Sequence, residues 1–321
     1  MMDGASSYGV PGPSTSRAIA PSGMAPLGGD MDSLIKTLLD QNQRDDLKLK
    51  ALQDIWNSFD VFCTSPTYSH LLESLVRAFL KLFSETAPQY ILENNTQQLR
   101  KLMLEIILRT TGHDVMRQFS KSIQQHMIKL IQTENEENAI LAVKILIDHS
   151  KLNRMPFSPD IAGVVTHLRT VFREIANHVT SGNMFETRNT QRSSGLLAEE
   201  LLIESSLQHC YYQQQLNLDS GKGGSGGAPL LYQLIPRASQ SVKFLAEVPM
   251  LMVLIAQIHK NHIQNEIIEF AQQMAHFINV RVPDDQMRSA NVNVNLLGEF
   301  HNAQVKGLMF FAYLVRGGTV C

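Results

Sequence analysis

From residue 32 onward, apolar side chains recur three and four positions apart, the spacing that lines them up on one face of an α-helix. Leu34, Ile35, Leu38 and Leu39 begin the pattern, and Leu49, Leu52, Ile55, Trp56 and Phe59 continue it. Further stripes run through Leu71, Leu72, Leu75, Val76, Phe79 and Phe83, then Leu99, Leu102, Met103, Ile106 and Ile107. The pattern predicts helix starts near Asp45, Ser65, Asn95, Gly112, Thr133 and Ser158. Ser65-Pro66 and Ser158-Pro159 have an N-cap followed by proline at the first helical position. Thr133 and Glu136 have capping-box spacing. Starts about 20–25 residues apart give roughly 40–47 residues per helical hairpin, the period of HEAT and armadillo repeats. Periodicity alone leaves a bundle and a solenoid equally open, since both need one apolar stripe per helix.

Breaks in the pattern divide the chain. Residues 1–31 are rich in Gly, Pro and Ser and read as a disordered tail. Helical repeats are expected over 32–181. Residues 182–231 read as a flexible linker or insertion, because 187–195 is polar and 221–227 is GKGGSGG. Residues 196–207 have the pattern of a short amphipathic helix. Helical repeats resume over 232–316, with Pro249 at a boundary, and 317–321 is a truncated end. The last helix, expected over 296–315, is apolar nearly all round, so the chain is expected to expose one of its faces and to associate.

Composition narrows the function. Hydrophobic residues make up 44% of 321 and charged residues 18%, enough for a packed core. Lys plus Arg is 28 and Asp plus Glu is 30, so no global field draws the chain to nucleic acid or acidic membranes. Cys63, Cys210 and Cys321 lie far apart and predict a reducing, intracellular setting without a disulfide framework. No secretory signal is read in the N-terminal tail. The apolar runs 248–256 and 308–315 fall short of the roughly 20 residues that cross a bilayer. A soluble protein without membrane partner is expected.

Candidate chemistry is sparse. Residues 221–226 match GxGxxG, but no strand precedes and no helix follows, so the linker reading stands and no nucleotide cofactor is expected. His259 and His262 lie three apart, with no further ligand at metal spacing, and read as a helix-end pair. Cys63 reads as a small buried hydrophobe. Glu136-Glu137 and Glu199-Glu200 read as solvated faces or complements to a helix dipole. Catalytic, cofactor and metal residues are all expected to be absent. Arg100, Lys101, Arg109, Arg117, Lys121 and Lys129 cluster along two consecutive helical stretches, where ordinary solvation is the plain reading.

Four stretches carry a family resemblance: 97–109 (QQLRKLMLEIILR), 133–151 (TENEENAILAVKILIDHSK), 234–258 (LIPRASQSVKFLAEVPMLMVLIAQI) and 300–316 (FHNAQVKGLMFFAYLVR). Their order and spacing resemble the N-terminal region of the TRRAP-like family of phosphatidylinositol 3-kinase-related pseudokinases. The resemblance covers about 45–316, apart from the linker. It implies an all-α, HEAT/armadillo-like solenoid of antiparallel helix pairs. It also implies a nuclear, non-enzymatic scaffold in histone acetyltransferase complexes such as SAGA, contacted by transcription activators, with protein partners and no small-molecule substrate. Activator segments are often acidic, which makes Arg100, Lys101, Arg109, Arg117, Lys121 and Lys129 the expected contact edge. The family's FAT, kinase-like and FATC segments are absent, so a fragment or short form of a larger protein is expected. Rival readings are the regulatory solenoid of an active kinase of the same superfamily, a nuclear-transport-type HEAT adaptor and, more weakly, a nucleic-acid binder.

Overall fold

The computed structural model describes residues 27–153, 156–181, 184–185, 234–288, 290 and 292–316. The linker glycines, the 196–207 helix and the Glu199-Glu200 pair lie outside them. Among the described residues the secondary structure is helical, with two isolated β-bridges and no strand. In order the α-helices are α1 (Leu27–Leu39), α2 (Asp45–Asn57), α3 (Phe59–Cys63), α4 (Tyr68–Glu85), α5 (Asn95–Thr110), α6 (Ser120–Thr133), α7 (Glu136–Leu152) and α8 (Pro159–Ser181). After residue 234 come α9 (Val242–Leu245), α10 (Val248–His259), α11 (Gln264–Asn279), α12 (Asp284–Met287) and α13 (Val294–Arg316).

The long helices alternate between two rows. α1, α4, α6, α8 and α11 form one row; α2, α5, α7, α10 and α13 form the other, and each helix packs on the next in its row. Across the rows, α1 pairs with α2, α4 with α5, α6 with α7, α8 with α10 and α11 with α13. Where a short turn joins the members of a pair, as in α1–α2 and α6–α7, they run antiparallel. Interior hairpins bury their stripes against neighbours on both sides, an order consistent with an α-solenoid.

Local chemistry explains the element ends. Asn94 caps α5 by accepting from the amides of Thr96 and Gln97, at 2.8 and 3.1 Å. Pro159 opens α8 and Pro249 lies in the first turn of α10, where a missing amide costs nothing. The capping box at Thr133 is not formed. Thr133 is the last residue of α6, its hydroxyl bonded to Lys129 O, and Asn135 caps α7 by accepting from Asn138 N. Threonine bonds its own helix turn as readily as it caps one, and the asparagine was the better cap. α4 starts at Tyr68, not at Ser65, and α1 starts at Leu27, five residues before the expected tail boundary.

Aromatic rings tie the rows together at the C-terminal end. Phe172 of α8 meets Phe270 and Phe277 of α11 edge to face at 5.6 and 4.9 Å. Phe277 and Phe270 in turn meet Phe300 and Phe310 of α13 at 5.4 and 5.6 Å. Phe185, inside the expected linker, is fully buried against Phe300. Each such contact is worth about 0.5–1.5 kcal/mol beyond the area it buries. The window Val242–His259 is long and apolar enough, by length and composition, to cross a membrane, yet 67% of it is buried inside the array.

His149 gives the core a pH dependence. It is fully buried on α7, its Nε2 lies 3.0 Å from Ser120 Oγ, and its Nδ1 lies 3.4 Å from Asn153 Nδ2. Ser120 Oγ donates to Arg117 O, so it accepts from His149, which fixes the neutral Nε2–H form. Burial holds the imidazole below its ordinary value, as it does for His167. A depressed folded value means that the unfolded chain binds the extra proton first. Stability is therefore full above about pH 6.5 and falls as the pH drops below the unfolded histidine value. Thermal melts from pH 7.5 to 5.0 should show a falling midpoint, with a shallower fall in His149→Gln.

Candidate functional site

The most elaborate polar arrangement in the described residues lies at the edge where α4 passes to α5 and α6 to α7. Arg100 of α5 is 1% exposed and Glu134, the residue after α6, is 1% exposed. Arg100 Nε donates to Glu134 Oε1 at 2.7 Å, and Nη2 reaches the same oxygen. Nη1 donates to Thr86 O and Oγ1 at 2.9 and 2.6 Å, and the guanidinium lies 5.2 Å from the Phe83 ring centroid. Glu134 Oε2 accepts from Asn138 Nδ2 at 3.2 Å, and Asn135 Nδ2 donates to Gln89 O at 2.8 Å. Four elements thus converge on one buried ion pair.

Residues 235–238 dock beside this pair. Ile235 N donates to Tyr90 O at 2.7 Å, Glu136 N to Pro236 O at 2.8 Å and Ala238 N to Glu134 O at 3.1 Å. Arg237 lies over the Tyr90 ring at 5.0 Å, and Tyr90 Oη donates to Thr133 O at 2.7 Å. Ser241 caps α9 by accepting from Phe244 N and donates to Glu136 Oε2.

The six expected contact residues do not form one edge. Arg100 is removed from it, because a guanidinium enclosed by Glu134, Thr86 and Phe83 has no surface to offer. Lys101 is half-buried, 2.8 Å from Glu137 Oε2 of α7. Arg109 pairs with Asp60, and its guanidinium lies 4.6 Å from Phe59 and 5.4 Å from Trp56. Arg117, Lys121 and Lys129 are exposed on α6 and the 3-10 turn before it, with Arg117 3.5 Å from Asp114. Lys129 lines a groove of about 440 Å³ with Thr86, Pro88 and His126. A second cavity of about 350 Å³ lies between α7, α10 and α13, lined by Ile147, Met250, Val253, Met309 and Tyr313.

The other candidates resolve individually. His126 Nε2 lies 3.2 Å from Ser84 Oγ, but a main-chain carbonyl, Ser122 O, holds its Nδ1, and Ser84 Oγ also reaches Leu80 O. That is a contact between α4 and α6, without the carboxylate that orients a catalytic imidazole. His259 ends α10, and His262 stacks on Phe157 with ring centroids 4.5 Å apart. Among the described residues no three His, Cys, Asp or Glu side chains come together to hold a metal. Cys63 is exposed, correcting the buried reading; it ends a single-turn helix whose inner positions go to Phe59 and Phe62. Burial and the neighbouring thiol push the Tyr68 hydroxyl up. Glu136 and Glu137 open α7, where they complement the helix dipole, and pair with Lys243 and Lys101. The sequence gives no local signal for the Arg100–Glu134 partnership, since the two lie on different elements.

Fold and site together define an all-α helical array whose best-developed polar cluster joins its hairpins. Comparison with known proteins adds the family. "Transcription-associated protein 1" of Caenorhabditis elegans is 38% identical over 288 residues, 89% of this chain and 7% of that protein. "Transformation/transcription domain-associated protein" of Homo sapiens is 30% identical over 282 residues, 88% of this chain and 7% of that protein. "SAGA complex/NuA4 acetyltransferase complex subunit Tra1" of Schizosaccharomyces pombe is 22% identical over 276 residues, 80% of this chain. The chain is a homologue of one segment of the transformation/transcription domain-associated proteins. It spans about 7% of the length of the curated relatives it matches. No protein-family model and no solved structure matches it.

Removing one partner of the buried pair leaves the other charged and desolvated. Arg100→Leu should cost roughly 3–5 kcal/mol in urea unfolding. The double variant Arg100→Leu/Glu134→Leu should recover much of that loss. Additive single effects would show that the pair is not coupled.

Proposed function

We propose that the chain is a non-enzymatic scaffold segment of HEAT-like repeats in a transcription coactivator. In this reading it serves a nuclear histone acetyltransferase complex of the SAGA or NuA4 kind. The observation that carries the reading is the 38% identity to a transcription-associated protein over 89% of the chain. The name of the fission yeast relative supports the acetyltransferase setting. The fold suits the role, since stacked hairpins offer long surfaces for extended or disordered partners. The work of the segment is then positioning, with catalysis left to other subunits.

Transcription activators are the proposed partners, and acidic segments suit the exposed cations Arg117, Lys121 and Lys129. Lys101 and Arg109, on α5, are already engaged with Glu137 and Asp60. Rim charges of this kind act mainly on association rate and salt dependence.

Two measurements test the proposal. Affinity purification of the endogenous product, tagged at its N-terminus, should bring down acetyltransferase-complex subunits; their consistent absence refutes the setting. Reversing Arg117, Lys121 and Lys129 to Glu should weaken binding of an acidic activator segment roughly 3–10-fold and flatten its salt dependence. Unchanged binding removes this surface from the account.

A further inference from the structure

The exposed cations of α6 form a line. Lys121, Gln125 and Lys129 stand four apart on the helix, so they share one face, with about 6 Å of axis between each and the next. All three are exposed. Arg117 precedes Lys121 by one further turn, and its ion-pair partner, Asp114, is 3.5 Å away and itself open to solvent. Among the described residues no carboxylate pairs with Lys121 or Lys129. α4, beside α6 in the row, carries Glu73 and Glu85, and each is met by a cation one turn away, Arg77 at 2.7 Å and Lys81 at 3.6 Å. The charge left over along this edge is positive.

The line runs into the groove between the end of α4 and the last turns of α6, whose volume is about 440 Å³. Phe83 and Leu130, both buried, form its floor. Ala87 and Pro88, which follow α4, stand on one side, and Gln125 and Lys129 of α6 on the other. Glu85, the one carboxylate that lines it, is engaged with Lys81 and Gln41. An apolar floor at the end of a basic line suits a ligand with both characters. One apolar side chain fixes its register, and its carboxylates supply attraction and steering.

We propose that this groove is the anchor pocket of the cationic edge. The edge takes an acidic segment in extended form, with one aromatic side chain in the groove and carboxylates on Lys129, Lys121 and Arg117. An extended chain rises about 3.3 Å per residue, and alternate side chains share a face. The roughly 12 Å from Lys129 to Lys121 then spans about four residues, and the further 6 Å or so to Arg117 about two. With Lys129 at the rim of the groove, the first carboxylate stands about two residues from the aromatic one. All these spacings are even, so the four side chains lie on the one face of the segment that meets the protein. The inference rests on the reading of these cations as a contact edge for acidic segments, and adds what such a segment must carry.

Fluorescence anisotropy at low salt tests it with a labelled synthetic peptide, Phe-Ser-Glu-Ser-Gly-Ser-Glu-Ser-Glu, made in that order and reversed, and the 321-residue chain. In one of the two orders, replacing the peptide's Phe by Ala should weaken binding roughly 5–20-fold. Ala87→Trp and Gln125→Trp fill the groove from opposite sides. Each should bring the Phe peptide down to the level of the Ala peptide, leave the Ala peptide's own binding unchanged and keep the melting temperature of the parent chain. The double variant Lys121→Glu/Lys129→Glu should weaken both peptides alike. Equal binding of the Phe and Ala peptides overturns the anchor pocket. If the lysine reversal still weakens both, the edge for acidic segments stands without its anchor; if it does not, edge and anchor fall together. Tight binding of the Phe peptide that survives both tryptophans also overturns the proposal. So does a dimer of the chain that forms at the assay concentration and is lost in Ala87→Trp, because the groove then belongs to a second copy.

Discussion

The Arg100–Glu134 ion pair is the constraint around which the first half of the array is arranged. Taking both charges out of water costs several kcal/mol per ion, and the cost is offset only where the remaining donors and acceptors are filled. Here Thr86 takes the third guanidinium nitrogen, Phe83 faces the cation, and Asn138 supplies the second carboxylate oxygen. Each of those partners sits where a helix ends or begins: Thr86 after α4, Glu134 between α6 and α7, Asn138 in the first turn of α7. Satisfying one pair therefore fixes where three helices stop and start. A network of this kind is valuable only when complete, because a half-satisfied one is worse than an apolar core.

The same node holds a segment distant in sequence. Phe185 is anchored on Phe300 and accepts from Asn293 N, and Leu234 bridges to Ile91 beside Tyr90. Both rows contain helices from either side of residues 186–233, α8 followed by α11 in one and α7 by α10 in the other. Residues 235–238 bond to the main chain of the α4–α5 and α6–α7 turns, then lead through α9 into α10. Beyond it, the phenylalanines of α8, α11 and α13 take over from polar groups as the link between rows. One structure thus uses an ionic joint at one end and an aromatic joint at the other.

Much of the fold was legible because helix positions follow from the spacing of apolar residues. The starts at Asp45, Asn95 and Pro159 lie where the pattern set them, and Leu71–Phe83 and Leu99–Ile107 supply buried faces as expected. What spacing cannot supply is the partner of a polar residue. Arg100 stands in a basic-looking stretch with Lys101 and Arg109, and nothing local separates the buried one from the other two. The difference is Glu134, brought over it by the packing of α5 against α7. Thr133 and Asn135 pose the same difficulty at shorter range, since both can cap and only the turn geometry chooses. Cys63 was misplaced because a five-residue helix has too few positions for a period to show which side is inside. The family likeness was readable in TENEEN and in the PRASQSVKFLAEVP stretch, and both turn out to border the buried pair.

Native-state hydrogen exchange on Arg100→Leu tests most directly whether that pair holds residues 235–238 to the array. The amides of Ile235, Glu136 and Ala238, which make the docking hydrogen bonds, should lose protection by tenfold or more, while those of α8 and α11 keep theirs. Unaltered protection at these three amides would contradict the account and assign the docking to apolar packing alone.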